Sequence, residues 1–352
     1  MEQTTVQGQS NLVREVLEKG ICVRCGACVG ICPYFQYHDG KVVVSDWCQA
    51  STWRCVQVCP RLPYDRASLY DYFYHVNDCT DAIGPHRQVV AARSGDKLVR
   101  SAAQYGGVVT ALVIFAIEEG LVNSAVLTDR GGDLAPKGVL CSDREAVLGC
   151  AGSRYSASAA LSELNLAIQA GNDRLAFIGL PCQMEALGRL SLSEPDGQER
   201  AGHVELKIGL FCTWALDYRA LRSYLKTKGI VEIPKKYDIP PPPSEVFIVE
   251  TNNGRMEFPL SEVREIVQPG CSLCEDMTAE FADISVGTLE GDKQWNTVIV
   301  RTDKGMELFE KALRAGVLEQ KERPSSNLEH LKEAASNKRK RALRARGEES
   351  NE

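Results

Sequence analysis

The 352-residue sequence has no apolar run long enough to cross a bilayer. Its longest, Val108 to Ile117, falls well short of the roughly 20 residues a spanning helix needs. The first ten residues, Met1 to Ser10, lack a basic stretch followed by an apolar core, so no signal peptide is expected. There is no excess of positive charge: 41 Lys and Arg stand against 47 Asp and Glu, a net charge of −6 that gives no global nucleic-acid signal. Internal repeats and long low-complexity segments are also missing. These absences lead us to expect a cytoplasmic protein, or a peripheral one held to a membrane complex by partners. Structural disulfides are uncommon in a reducing cytosol.

Cysteine, by contrast, is abundant, with 14 residues in the chain. If disulfides are excluded, they call for a metal reading or a core reading. The first run is Cys22-x2-Cys25-x2-Cys28-x3-Cys32-Pro33, followed by Cys48, Cys55 and Cys59-Pro60. This is the ligand spacing of bacterial ferredoxins, in which the fourth cysteine of each run crosses to the other cluster. Applied here, Cys22, Cys25, Cys28 and Cys59 hold one four-iron cluster, and Cys32 and Cys55 belong to a second. The second set is irregular. The ideal spacing puts ligands at Gln49 and Thr52, so Cys48, displaced by one residue, is the substitute. Its fourth ligand is Cys79, Ser45 or Asp46, or is absent, leaving a three-iron cluster. Zinc is the competing reading, and the tight run ending in proline matches ferredoxins better than paired zinc spacings.

A second camp of cysteines lies far downstream. Cys182 sits in Gly-Leu-Pro-Cys-Gln after an apolar strand, Cys212 in Gly-Leu-Phe-Cys-Thr after another, and Cys271 and Cys274 form Cys-x2-Cys after Pro269-Gly270. If the strands are parallel neighbours, their carboxyl ends share one rim, where α/β proteins place their sites. Four thiols from three loops could then surround another cluster. Taken singly, each reads better as a buried core thiol, and the Cys271/Cys274 pair could be half a zinc site or a redox dithiol. Cys79, Cys141 and Cys150 are read as core or shielded.

The texture divides the chain into a small ferredoxin-like unit (1–62), an aromatic connecting segment (63–85), a larger mixed α/β domain (86–322) and a basic C-terminal helix or tail (323–352). The fold class is α+β or α/β. Asn11 to Lys19 has a short helical pattern. Tyr64, Tyr70, Tyr72, Phe73 and Tyr74 should pin the connecting segment against the larger domain. Strands are expected near Val89–Ala92, Ala125–Leu127, Leu175–Ile178, Val204–Phe211, Asp283–Gly287 and Thr297–Thr302. A hairpin is expected around Thr251-Asn-Asn-Gly254. Gly106-Gly107 opens a helix closed by Gly120. Ser158 is the expected cap of a helix to Gln169. The Pro240–Pro243 run reads as a stiff bridge between lobes. Ser326-Asn-Leu-Glu329 has capping-box spacing for a last helix, whose Lys338-Arg-Lys-Arg341 run reads as a solvated tail or an acidic-partner contact.

At Gly106-Gly-Val-Val-Thr-Ala-Leu, Gly152-Ser-Arg-Tyr155, Gly179-Leu-Pro-Cys-Gln183, Gly209-Leu-Phe-Cys212, Cys271-Ser-Leu-Cys-Glu-Asp276, Ala282-Asp-Ile-Ser-Val-Gly287 and Trp295-Asn-Thr-Val-Ile-Val-Arg301, the chain resembles the beta subunit family of coenzyme F420 hydrogenases and dehydrogenases. The resemblance covers about residues 86–320, with the motifs in family order. The N-terminal unit is similar to extensions of F420H2 dehydrogenase input subunits and formate dehydrogenase beta subunits. The resemblance implies an oxidoreductase subunit with FAD, a further [4Fe-4S] cluster in the main domain and F420 as hydride substrate. It favours Cys182, Cys212, Cys271 and Cys274 as that cluster's ligands. It implies flavin contacts at Gly106, Gly107, Val108 and Thr110, at Arg154 and Tyr155, and at Asp283 and Gly287. Expected partners are redox subunits of a hydrogenase, formate dehydrogenase, heterodisulfide reductase-like or membrane dehydrogenase complex. An F420-independent electron-transfer subunit and a zinc-stabilised binding module are the alternatives. The turn Gly287-Thr-Leu-Glu-Gly-Asp292 departs from the family's glycine–acidic turn, which leaves the hydride donor open.

Overall fold

The computed structural model describes residues 8–50, 52–129, 136–241 and 244–348. The N-terminal unit opens with a helix, Gln9–Leu12, that continues as a π turn, Val13–Leu17. Leu12 and Val16 are its buried apolar residues, four apart and therefore on one face. The cysteine loop follows, then an antiparallel hairpin of β1 (Phe35–His38) and β2 (Lys41–Val44) and a single helical turn at Arg54–Gln57. The aromatic segment contains a helix, Arg66–Tyr74, capped by the Asp65 carboxylate, which accepts from the Ala67 N–H. It is pinned as expected: Tyr70 Oη donates to the Glu280 carboxylate, Tyr74 Oη to the Glu280 carbonyl, and the Phe73 and Phe281 rings lie 5.8 Å apart.

The larger domain is built on an eight-stranded mixed sheet. In chain order its strands are β3 (Gln88–Ser94), β4 (Ser124–Thr128), β5 (Gly138–Cys141), β6 (Leu175–Gly179), β7 (Val204–Leu210), β11 (Ile284–Thr288), β12 (Asn296–Val300) and β13 (Leu318–Lys321). A separate antiparallel sheet holds β8 (Lys236–Asp238), β9 (Val246–Thr251) and β10 (Gly254–Pro259). The large sheet runs β13-β3-β12-β11-β7-β6-β4-β5. Its central strands β11, β7, β6 and β4 are parallel, and the outer pairings are antiparallel.

Alternation along the strands divides the core. Val126 and Phe177 face one apolar cluster, while Ala125, Ala176 and Ile178 face the other. On the second face lie the helices Val108–Glu118 and Asp303–Arg314. On the first lie Ala160–Gln169 and Pro181–Ser191 together with the whole N-terminal unit, so residues 12–62 share one continuous core with the sheet. Glycines permit the close approach. A Cβ on Gly26 would lie 2.7 Å from the Ala159 carbonyl, and one on Gly270 would lie 2.0 Å from the Ile21 carbonyl.

Several local expectations are corrected. Ser158 does not cap its helix: the N-cap residue is Ala159, and the Ser158 carbonyl instead accepts from Gln183 Nε2 at 2.8 Å. The last helix, Ser325–Arg346, starts after Pro324 without a side-chain cap, so the Ser326/Glu329 capping box does not form. That helix is not simply a solvated tail, because Leu331, Ala335, Lys338 and Ala342 make a buried stripe along it. Of the proline run, Pro242 and Pro243 lie outside the described residues.

Candidate functional site

The cysteines gather into three neighbourhoods. Cys22, Cys25, Cys28 and Cys59 line one cavity with Leu12, Val16, Val23 and Arg61, enclosing about 350 Å³ of atom-free space that is partly open to solvent. Burial pushes the Cys22 thiol up to about 11 and Cys25 to about 12, with Cys59 adding to both; burial, with Cys25, Cys22 and Cys59, also drives Cys28 well above its usual value. Four thiols crowded into one buried site resist becoming four thiolates unless a cation compensates them. Backbone N–H groups already point at the sulfurs, as from Arg24 to Cys22 Sγ at 3.4 Å. This donor set fits a four-iron cluster.

Cys55, raised to about 12 by burial, has Cys32 and Cys48 as its next thiol neighbours. The irregular loop carrying Cys48 is pinned by a residue with no sequence signal. The buried Gln9 side chain accepts from the Cys48 N–H at 2.5 Å and donates to the Asp46 carbonyl at 2.8 Å. The Ala50 N–H reaches Cys48 Sγ at 3.3 Å. Ser45 and Asp46 lie on this loop. Cys79 does not: its charged neighbours are Glu280, Arg339 and Asp81, and its Sγ contacts the Asp81 carbonyl.

The downstream four converge as the parallel strands require. Cys182 is the second residue of the helix after β6, and Cys212 follows β7, on the same rim. The Cys271/Cys274 turn is drawn alongside: the Ala215 N–H donates to Cys271 Sγ at 3.4 Å, and the Cys212 N–H donates to the Met277 carbonyl at 2.9 Å. Burial raises Cys182 strongly, with further contributions from Cys25, Cys274 and Cys212; Cys212 rises to about 12 through burial. Cys28 thus neighbours Cys55, and Cys25 neighbours Cys182. The group of Cys22, Cys25, Cys28 and Cys59 stands between the other two. Among the described residues, no three His, Cys, Asp or Glu side chains close around a single ion.

Two cations that spacing alone does not reveal, a half-buried Arg61 and a buried Lys338, serve these groups. The Arg61 guanidinium donates to the Gly270 carbonyl at 3.1 Å and has Cys274, Cys182 and Cys59 among its electrostatic neighbours. Lys338 Nζ donates to the Cys212 carbonyl at 2.7 Å. Burial would lower its pKa, but the thiolate forms of Cys274 and Cys212, followed by Asp276 and Cys271, raise it overall.

The same strand rim carries most of the expected flavin residues. Gly107 has φ 78°, the left-handed region that glycine tolerates, and it precedes the helix Val108–Glu118. Asn296, which the sequence reading did not select, organises the turn. Its Oδ1 accepts from the Val108 N–H at 3.3 Å, and its Nδ2 donates to the Gly287 carbonyl at 3.1 Å. Gly287 has no room for a side chain against the Phe211 ring, which immediately precedes Cys212. The Ser153 N–H reaches Gln104, and Gln104 in turn donates to the Tyr237 carbonyl and Asp238. Tyr155 Oη accepts from the Ile239 N–H at 3.0 Å, while Arg154 donates to the Ser153 carbonyl. Arg154 is an electrostatic neighbour of Tyr237, whose Oη is buried without a hydrogen-bond partner among the described residues. A glycine-built helix start and an unsatisfied buried hydroxyl fit a phosphate-bearing ring cofactor such as FAD.

Thr110 is buried within that helix. Asp283 does not join the rim. It lies at the opposite end of β11, where its carboxylate accepts from the Lys207 N–H at 2.7 Å and from Thr302 Oγ1 at 2.8 Å. Its sequence position near Gly287 is misleading because a strand separates its two ends. Arg301 is likewise structural: buried, it donates to Ser285 Oγ and to the Ile83, Pro85 and Thr278 carbonyls.

Residues 89–165 and 172–326 match the models for the N-terminal and C-terminal parts of the coenzyme F420 hydrogenase/dehydrogenase beta subunit. The chain is 33% identical to the coenzyme F420 hydrogenase subunit beta of Methanosarcina barkeri, over 68% of this chain and 83% of that one. It is 29% identical to the coenzyme F420-dependent sulfite reductase of Methanocaldococcus jannaschii, over 84% of this chain and 46% of the relative. A chain of the F420-reducing [NiFe] hydrogenase complex from Methanosarcina barkeri superposes with a TM-score of 0.70 at 30% identity, covering 76% of this chain and 93% of that one. Among the described residues, no helix is long and apolar enough to cross a membrane. With sequence, motif order and fold in agreement, the chain belongs to the coenzyme F420 hydrogenase/dehydrogenase beta subunit family of oxidoreductase subunits.

Proposed function

We propose that this chain is an iron–sulfur flavoprotein subunit that links hydride exchange with F420 to one-electron transfer toward a partner subunit. When bound, FAD supplies the conversion between hydride and single-electron chemistry, and iron–sulfur clusters supply the one-electron path. The observation that carries the reading is the continuity of the site. The glycine rim at Gly106, Gly107 and Gly287 adjoins Phe211 and Cys212, and the thiol groups follow in series through Cys182 and Cys25 and then Cys28 and Cys55.

The chain's residues hold and shield. Gly106, Gly107, Val108, Arg154 and Tyr155 line the flavin side. Cys182, Cys212, Cys271 and Cys274 hold the adjacent cluster, and Cys22, Cys25, Cys28 and Cys59 the next. Cys32, Cys48 and Cys55, with Ser45 or Asp46 as candidates for a fourth ligand, hold the last. Burial of Cys25, Cys32, Cys55, Cys59 and Cys274 keeps water from those parts of the path. No side chain need act as a nucleophile. Partners of hydrogenase, formate dehydrogenase, heterodisulfide reductase-like or membrane dehydrogenase type would dock outside the path.

Anaerobic purification followed by iron, sulfide, zinc and flavin analysis tests the reading. Iron, sulfide and flavin together, with flavin bleached by reduced F420 and not by NADH or NADPH, are expected. Zinc without iron or flavin overturns the redox assignment. Flavin that F420H2 does not reduce in the intact complex overturns the F420 assignment.

A further inference from the structure

We propose that Lys338 is a fixed cation of the Cys182/Cys212/Cys271/Cys274 group and raises that group's affinity for an electron. The inference rests on the reading of these four thiols as cluster ligands. Its evidence lies in the C-terminal helix, most of which extends beyond residue 326, where the matched family segment ends.

On that helix, Leu331, Ala335, Lys338 and Ala342 recur at spacings of four, three and four, one helical stripe facing inward. Three members are apolar and the fourth is a lysine that is only 3% exposed. A lysine in a core position is costly unless an anion compensates it. Its ammonium donates to the Cys212 carbonyl at 2.7 Å, and Cys274, Cys212, Asp276 and Cys271 are the groups around it that can carry negative charge. Asp276 already accepts N–H bonds from Thr278, Ala279 and Glu280, at 2.9, 2.8 and 2.8 Å. One turn beyond the stripe, Arg346 Nη2 donates to the Leu273 carbonyl at 2.7 Å, fixing the helix to the turn between Cys271 and Cys274.

A thiolate-ligated cluster is anionic, and each electron it accepts adds negative charge. Removed from water, a nearby fixed positive charge favours the reduced form more than the oxidised one. No bond is made or broken, and no proton need move. In a titration, dithionite supplies the electron.

The test uses the full-length chain, purified anaerobically, with reductive titration followed by electron paramagnetic resonance. The downstream signal is identified as the one that Cys271→Ser removes. At fixed ambient potential, Lys338→Gln should lower the ratio of reduced to oxidised cluster about tenfold, a drop of about 59 mV for one electron. Lys338→Arg, which keeps the charge, should stay near wild type. So should Lys340→Gln, which removes an exposed charge from the same helix.

An unchanged potential in Lys338→Gln overturns the proposal while leaving the cluster reading intact. Absence of any Cys271-dependent iron–sulfur signal from the wild-type chain overturns both. If Lys338→Gln cannot retain the cluster, retention in Lys338→Arg supports the charge role, and loss from both variants shows that side-chain shape is what matters and overturns it.

Discussion

The Arg189 guanidinium donates to the Cys59 carbonyl at 2.5 Å and to the Leu62 carbonyl at 3.0 Å. Arg189 lies on the helix that carries Cys182 in its first turn, so one side chain ties the turn carrying an N-terminal ligand to the element carrying a downstream one. It also pairs with Glu185 at 2.5 Å and lies over the Tyr64 ring. Arg189→Met should destabilise the fold by about 3 kcal/mol, the low end for breaking a buried pair, because Arg66 still neighbours Glu185 at 3.4 Å. Denaturant unfolding of the anaerobic protein measures this loss, and iron analysis should show fewer iron atoms per chain.

Gly270→Ala should also loosen this junction. The added carbon would meet the Ile21 carbonyl at 2.0 Å and Val23 Cγ1 at 3.0 Å. Backbone must shift, at a cost of about 1–3 kcal/mol. Thermal unfolding should move down by several degrees, while Gly229→Ala, which would meet nothing within 4 Å but has φ 78°, should show only the backbone cost.

Acid stability should depend on Asp217. Burial alone would raise its pKa, but the Arg24 guanidinium at 2.5 Å and the Ala220 N–H hold the carboxyl below its usual value. A depressed folded-state value means that the stabilisation is fully present above the unfolded value of about 3.9 and disappears as pH falls through the folded one. Asp217→Asn retains a capping side chain. It should be less stable than wild type near neutrality, with the difference shrinking through this acid window. Chemical denaturation at several pH values gives the measurement.

Gly107→Ala should release flavin without releasing iron. Its φ of 78° would cost an alanine about 1–2 kcal/mol, and the new carbon would lie 3.1 Å from Val99 Cγ1. Flavin absorbance after gel filtration, set beside iron content, separates the rim from the thiol groups. Equal loss of both would count against a distinct flavin rim.

What could be read from sequence was what short segments encode. Cys22, Cys25, Cys28 and Cys32 announce their chemistry by spacing, and β6, β7 and β11 by apolar residues leading into Gly179, Gly209 and Gly287. The edge strands β5 and β13 were missed because four residues, in β13 mostly charged or polar, carry too little periodicity. Asp283 lies at the far end of β11 from Gly287, and proximity in sequence does not say which strand end faces the rim. Gln9, Asn296 and Lys338 were invisible for another reason. Each acts on a partner far away in the chain: Cys48, Val108 and Cys212 respectively. The basic run around Lys338 looked uniformly solvated because composition does not distinguish the inward position of a helix from its neighbours.

The shared core beneath the first sixty residues has a consequence for ancestry and engineering. Leu12, Val16 and Ile31 belong to the same apolar cluster as Leu161, Leu187 and Phe281, and Asn165 holds the Ala27 and Val29 carbonyls. The cysteine-rich unit is therefore not a detachable cartridge. Recombination at the Arg61–Arg66 joint would leave a greasy scar on both fragments, so a successful graft must carry the matching face of the Ala160–Gln169 helix with it.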